Sequence, residues 1–300
     1  KYSQNDRDKL HKYIDQIMDE AFLSNHTFCR KLEKKIENEY QKHFFAACSS
    51  GTSALECIFR FINVKNKVVL TQANTFIATG HAINAAGGII VPFDLNEEYV
   101  ASFDDIKNAF EFCKSNNLEV SCICVVNIGG RASEDIFLIK QFCKDKNIYL
   151  VEDNSQSIFS KINENYLGEI GDFSAYSFQT TKAIASGEGG LISCADKDNI
   201  EHIKNFISFG KSEINGLLFN NESGNFKLSE LNAALALADF ERSGERIKRR
   251  NHIDRLYESL VDSKFLYHLK SPEGNFTTNY KTIFMAKELE LRKKIEDHFI

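Results

Sequence analysis

The chain has 300 residues, 43% of them hydrophobic, with 37 basic and 42 acidic side chains and a net charge of −5. That length suits about two domains, the apolar fraction supplies a sizeable core, and the acidic balance argues against nucleic acid as the main partner. The eight cysteines include no C-x-x-C, the eight histidines no H-E-x-x-H, and the charged N-terminus no signal peptide, so the reading is a cytosolic protein with reduced thiols and no metal site.

Two amphipathic helices are predicted over 6–20 and 27–42, broken by Ser24-Asn25-His26. A short apolar strand, 44–48, runs into Ser49-Ser50-Gly51-Thr52-Ser53-Ala54-Leu55, which opens a helix to about 61. Small residues between a strand and a helix leave backbone N–H groups at the helix start, either as an anion site or as an ordinary Ser-capped helix. A strand over 67–70, a polar turn over 71–75 and a helix over 76–86 follow. Next come a strand over 89–93 ending at Asp94, a helix over 103–115 and an apolar strand over 120–126. The loop Asn127-Ile128-Gly129-Gly130-Arg131-Ala132-Ser133 leads to a helix over 134–146 and a strand over 148–151 that ends at Glu152-Asp153.

Near-continuous apolar strands alternating with helices predict an α/β fold, a mostly parallel sheet covered on both faces. Ligands bind beyond the carboxyl ends of such strands, and the polar residues there are Thr52, Asn74, Asp94, Asn127 and Asp153. No apolar run approaches the ~18 residues of a membrane span.

The segment from Asp172 to Gly190, DFSAYSFQTTKAIASGEGG, carries a strand over 173–178, a polar turn and a single lysine, Lys182. A glycine-rich run then enters a strand over 191–194. Taken alone, Lys182 reads equally as a surface turn residue. Helices are predicted over 197–208, 228–242 and 245–260, the last bearing a basic cluster, Arg246 to Arg250, read as a solvated face. A loop over 262–279, with Pro272 and Gly274, reads as a junction between a large domain, 1–262, and a second α/β domain, 263–300. That second domain, with one strand (280–285) and one helix (286–299), looks incomplete. Neither SGEGGLIS nor NIGGRAS completes G-x-G-x-x-G, and Gly210-Lys211-Ser212 lacks the earlier glycine of a Walker A loop.

A lysine, a strand-end aspartate, a helix-start anion site and an aromatic are together what pyridoxal phosphate requires: an imine to its aldehyde, a partner for its ring nitrogen, donors for its phosphate and a stacking face. With SSGTSAL at 49–55, ANTFIAT at 73–79, VEDNSQ at 151–156, SFQTTK at 177–182, GEGG at 187–190 and GNFKLSELNAALALA at 224–238, the sequence resembles the DegT/StrS-type sugar aminotransferases. These are fold-type I pyridoxal-phosphate enzymes, and the resemblance covers about residues 20 to 285.

The resemblance implies a three-layer αβα large domain and a set of roles. Lys182 would be the Schiff-base lysine and proton carrier, and Asp153 the partner of the pyridine nitrogen. Gln156 would bond the phenolic oxygen and Phe76 would stack on the ring. Ser177, Gly51 and Thr52 would hold the phosphate, and Asn225 would reach the cofactor phosphate of a neighbouring subunit. Helix N-capping for Asp153 and a core place for Phe76 are the plain alternatives. The implied reaction moves an amino group, with glutamate as donor, to a keto group of a nucleotide-linked deoxysugar in a homodimer with shared sites. A dehydratase of the same family and a non-catalytic relative are the rival readings. The chain departs from the family pattern at Asn127-Ile128-Gly129-Gly130, where a His-x-Tyr-Gly loop is usual, at Ile207-Ser208-Phe209-Gly210, and at Lys227, where an arginine is usual.

Overall fold

The apolar runs pair into strands in a computed structural model that describes residues 2–210, 223–271 and 274–299. The strands are β1 (Phe44–Cys48), β2 (Val68–Gln72), β3 (Ile89–Phe93), β4 (Val120–Val126), β5 (Tyr149–Asp153), β6 (Lys161–Ile162), β7 (Asn165–Tyr166), β8 (Phe173–Ser177), β9 (Gly190–Cys194), β10 (Leu266–His268) and β11 (Phe284–Ala286). The helices are α1 (Gln4–Glu20), α2 (Thr27–Tyr40), α3 (Gly51–Phe61), α4 (Ile77–Ala85), α5 (Phe103–Ser115), α6 (Ile136–Lys146), α7 (Lys197–Ile207), α8 (Glu230–Leu260) and α9 (Leu289–Phe299).

One seven-stranded sheet runs in the order β1-β9-β8-β5-β4-β2-β3. β9 pairs antiparallel with both β1 and β8, while the remaining pairs are parallel. All strands but β9 therefore point the same way, and the carboxyl ends of β1, β2, β4, β5 and β8 share one edge. Alternation along the strands feeds two faces. Ala46, Cys122, Cys124, Val151 and Ala175 pack with α3, α4 and α7. On the opposite face, Phe45, Ala47, Tyr176 and Leu191 pack with α2 and α8, and Val68, Leu70, Ile123 and Leu150 with α5 and α6. This is the expected three-layer αβα arrangement with a mostly parallel sheet.

Two expectations are corrected. The two helices predicted over 228–242 and 245–260 are one, α8, which begins after the Ser229 cap. Gly244 interrupts the pattern in sequence only: its Cα faces open space, and the neighbouring Ser243 hydroxyl bonds the carbonyl of Phe240 at 2.7 Å. The expected strand over 280–285 is shorter and later, β11, and its antiparallel partner β10 lies within the stretch read as a loop. Along α8, Ala233, Ala234, Ala236, Leu237 and Ala238 are buried, whereas Leu231 is exposed. The Walker A comparison falls partly on Lys211 and Ser212, and the junction on Pro272, which lie outside the described residues.

Candidate active site

A cavity of about 330 Å³ opens at the shared carboxyl edge of the sheet. Gly51, Thr52, Phe76, Asp153, Gln156, Ser177 and Lys182 all line it. Residues drawn from four separate stretches of sequence thus converge on one space. Asn74, Asp94 and Asn127, also at strand ends, are not among its lining residues, and neither is Asn225. Asn225 is exposed and bridges Ser208 in the antiparallel sense.

Each wall has a local cause. At the end of β1 the chain turns into α3, whose cap is Ser50, with its hydroxyl accepting from the N–H of Ser53 at 3.0 Å. Gly51 and Thr52 occupy the first helical positions, where N–H groups have no intrahelical acceptor and the helix dipole is positive. Gly51 is required by close approach, because a Cβ there would sit 2.8 Å from the Cβ of Ser177 and 3.1 Å from the Ser155 hydroxyl. Phe76 caps α4 without a side-chain bond and is 67% exposed, its ring at the mouth rather than in the core.

Asp153 ends β5 and is buried, 4% exposed. It does not cap a helix. Its Oδ2 accepts from the Thr79 hydroxyl at 2.9 Å and its Oδ1 from the N–H of Ser155 at 3.1 Å. Thr79, fully buried, is bonded in turn to the Thr75 hydroxyl at 2.7 Å. The adjacent Glu152 faces the other way and is structural. It accepts from the N–H groups of Gly168, Ile170 and Gly171 and from the Asn127 amide. Burial raises the Glu152 carboxyl above its ordinary range, partly offset by those bonds. Strand alternation alone separates the two acids of Val151-Glu152-Asp153 into a support and a site group.

The side chain of Gln156 is oriented by the NIGG loop: Gly129 donates its N–H to the Gln156 Oε1 at 2.9 Å. The amide nitrogen of Gln156 remains as the donor. Gly129 has φ +70, and a Cβ there would lie 3.0 Å from the Ile283 Cδ1. A side chain at this position would be strained and crowded.

Lys182 follows β8 on a turn in which its N–H donates to the Gln179 carbonyl at 2.9 Å. The Gln179 Oε1 accepts from both the N–H and the hydroxyl of Thr181. The Lys182 amine lies 4.5 Å from the centroid of the Tyr280 ring. The Tyr280 hydroxyl is 2.8 Å from that of Thr181. Burial would raise the Tyr280 phenol, but the Thr181 bond and the charges of Lys182 and Lys281 outweigh it and lower it from its ordinary value. Tyr280 and Thr79 are the site residues that sequence reasoning missed. Thr79 lies inside a quoted motif, four residues after Thr75, but nothing in its spacing announces a buried carboxylate partner. Tyr280 is about a hundred residues from Lys182, and no local pattern links them.

A doubly covered, mostly parallel sheet, with a lysine beyond β8, a buried carboxylate at the end of β5 and a helix start after β1 converging on one cavity, defines an enzyme built around a cofactor with an electrophilic carbon and an anionic end. The chain belongs to the DegT/DnrJ/EryC1/StrS aminotransferase family, whose model matches residues 4–297. A GDP-perosamine synthase of Escherichia coli is 26% identical over 294 residues, covering 97% of this chain and 78% of that protein. A UDP-4-amino-4,6-dideoxy-N-acetyl-beta-L-altrosamine transaminase of Campylobacter jejuni is 28% identical over 214 residues, 70% of this chain and 55% of that protein. Among solved structures, a DegT DnrJ EryC1 StrS aminotransferase from Brucella abortus superposes with a TM-score of 0.89 at 21% identity, covering 98% of this chain and 79% of that one.

Proposed function

We propose that this chain is a pyridoxal-phosphate-dependent aminotransferase that moves an amino group from glutamate to a keto group of a nucleotide-linked deoxysugar. The observation that carries the reading is the meeting of Lys182 and Asp153 in one cavity with the start of α3. The family's cofactor fits the groups present. A carboxylate already fixed by Thr79 and Ser155 suits a protonated ring nitrogen. The space kept clear by Gly51 at a helix start suits a phosphate. The amine of Lys182 suits an aldehyde.

When bound, pyridoxal phosphate supplies an electron sink for the carbon that exchanges its amine. Asp153 would hold the ring nitrogen protonated, and its burial would keep water from competing for that charge. Gln156 would donate its amide N–H to the phenolic oxygen, its carbonyl being held by Gly129. Ser177, Gly51 and Thr52 would hold the phosphate, and Phe76 would cover the ring. Lys182 would hold the aldehyde end and would carry the proton at its Nζ.

The relatives are named for GDP- and UDP-linked sugars, which supports a nucleotide sugar as the substrate class. We further place the active form as an isologous homodimer. Support comes from Asn225, exposed and outside its own cavity, and from the exposed apolar side chains Phe76, Ile77, Phe22, Leu23 and Leu231. Residues 263–300 are read as a small domain distinct from 1–262. A reducing, cytoplasmic setting is supported by eight buried cysteines, all free; among the described residues no helix is long and apolar enough to cross a membrane.

The test is to incubate the protein with pyridoxal phosphate, nitrogen-labelled glutamate and a panel of nucleotide ketosugars, read by mass. Labelled amine on a sugar is expected. Glutamate that leaves the cofactor's visible absorbance unchanged, with no sugar labelled, overturns the reading.

A further inference from the structure

The basic cluster of α8 is only in part a solvated face: Lys248 and Arg249 are exposed, whereas Arg246 and Arg250 are half-buried. Arg246 and Arg250, one helical turn apart, reach across to the loop that carries Lys182. The Arg246 Nη1 donates to the carbonyl of Ala183 at 3.0 Å and, at the outer limit of 3.5 Å, to that of Lys182. The Arg250 Nη2 donates to the carbonyl of Thr181 at 2.9 Å and to that of Lys182 at 3.3 Å. Asp239, two turns earlier on the same helix and 1% exposed, completes the arrangement. It pairs with both terminal nitrogens of Arg246 and accepts from the N–H of Ala185 at 2.7 Å. Every carbonyl from Thr181 to Ala183 is therefore held by a guanidinium, and the next N–H but one by a carboxylate. The Arg250 Nη1 is buried with no hydrogen-bond partner. Burial, reinforced by the charge of Arg246, lowers the Arg250 guanidinium from its ordinary value. A half-buried cation with one idle, buried donor is kept here at a cost, and the groups it does serve belong to the lysine loop.

We infer that Asp239, Arg246 and Arg250 form a clamp that positions Lys182, fixing its backbone so that its amine is presented to the aldehyde carbon and returns to the same place when released. These are positioning residues: they act through the main chain of residues 181–185. The inference rests on the reading of Lys182 as the covalent lysine. The guanidiniums add to a loop that runs into Ser186-Gly187-Glu188-Gly189, where Gly187 has φ +86 and is tied, among the described residues, only to Gln179 and, at 3.4 Å, to the Thr180 hydroxyl. A guanidinium holds its donors in a rigid planar fork, where the three donors of an ammonium rotate freely on a flexible stem. Misplacing a reacting group by about 1 Å costs on the order of 10²-fold.

The test uses the full chain without cofactor, with the wild type, the double variant Arg246→Ala/Arg250→Ala, and Arg250→Gln, a milder change that leaves the Asp239–Arg246 pair intact. Pyridoxal phosphate is added and the rate of covalent bond formation to Lys182 is followed by absorbance and by borohydride trapping. Binding of pyridoxamine phosphate, which fills the same cavity but has no aldehyde for the lysine, is measured alongside. Amide hydrogen exchange over 179–186 reads the loop directly. The clamp predicts that bond formation slows on the order of 10²-fold in the double variant and roughly 10-fold in Arg250→Gln. Pyridoxamine phosphate affinity should hold within about 3-fold while exchange in the loop rises. Should the double variant fail to fold, Arg250→Gln decides. Unchanged bond formation, or equal losses with both ligands, overturns the clamp alone. A wild type that forms no bond at Lys182 overturns both the clamp and the functional reading beneath it.

Discussion

Replacing Gly51 by alanine separates the packing of the phosphate end from everything else in the site. The backbone of Gly51 is not in the left-handed region, so alanine adopts it freely, and helix propensity favours the change by up to about 1 kcal/mol. Space opposes it. The new methyl would lie 2.8 Å from the Ser177 Cβ, and restoring an ordinary 3.4 Å contact requires the two to part by roughly 0.6 Å. Ser177 cannot yield easily, because it closes β8 and pairs with Gly190 of β9. The first turn of α3 must move instead, carrying the N–H groups of Gly51 and Thr52 with it. Overpacking of this kind costs about 1–3 kcal/mol, so global stability should fall by no more than about 2 kcal/mol once propensity is credited. Affinity for pyridoxamine phosphate should fall about 10- to 100-fold, at about 1.4 kcal/mol per decade. The assay is calorimetric titration of pyridoxamine phosphate and of pyridoxamine, which lacks the phosphate, against both proteins. The loss should appear with the first ligand and be small with the second. Equal affinities of wild type and variant for pyridoxamine phosphate would refute the placement of the phosphate at this helix start.

Asp153→Asn should fold, keep the Thr79 contact through its amide oxygen, and lose on the order of 10²-fold or more in turnover; near-normal steady-state rates would rule out its pairing with the ring nitrogen. Hybrid dimers of Lys182→Ala and Asn225→Ala, each first shown to be severely impaired, should regain partial activity, since some leave one site intact; a fully active monomer by analytical ultracentrifugation contradicts shared sites. Burial and the charges of Lys140 and Lys42 push the His43 imidazole down from 6.5 to about 4, against the pull of Asp172. The unfolded chain therefore takes up a proton that the native state refuses, and stability falls as pH drops through that window, by up to about 3 kcal/mol. Urea midpoints at several pH values should show a shallower fall in His43→Asn, and identical slopes would contradict the assignment.

The fold was legible because its strands are buried on both faces and read as plain apolar runs, from Val120 to Val126 most clearly. Their alternation with helices left few topologies open, and the shared edge then followed. Most of the cavity was legible for the same reason: Asp153 ends a strand, and Gly51 and Lys182 each stand a few residues beyond one. What stayed hidden was contact between distant segments. Periodicity marks Arg246 and Arg250 as off the apolar face of α8, and it cannot tell water from the carbonyls of a loop more than sixty residues away. Strand β10, three residues long, has too little sequence to announce itself without its partner. Ser243-Gly244 looked like a helix end because propensity is a weak prior that tertiary packing overrides. The Asn127-Gly130 loop departs from the family pattern in sequence; in three dimensions its Gly129 N–H orients Gln156.

The central claim is that Lys182 is the lysine to which the cofactor bonds. Treating the protein with pyridoxal phosphate, reducing with borohydride and mapping the peptides by mass spectrometry tests it directly. The account predicts one stoichiometric adduct, on Lys182, abolished in Lys182→Ala. An adduct on Lys281, which lines the same cavity, or on any other lysine with Lys182 left unmodified, would contradict it.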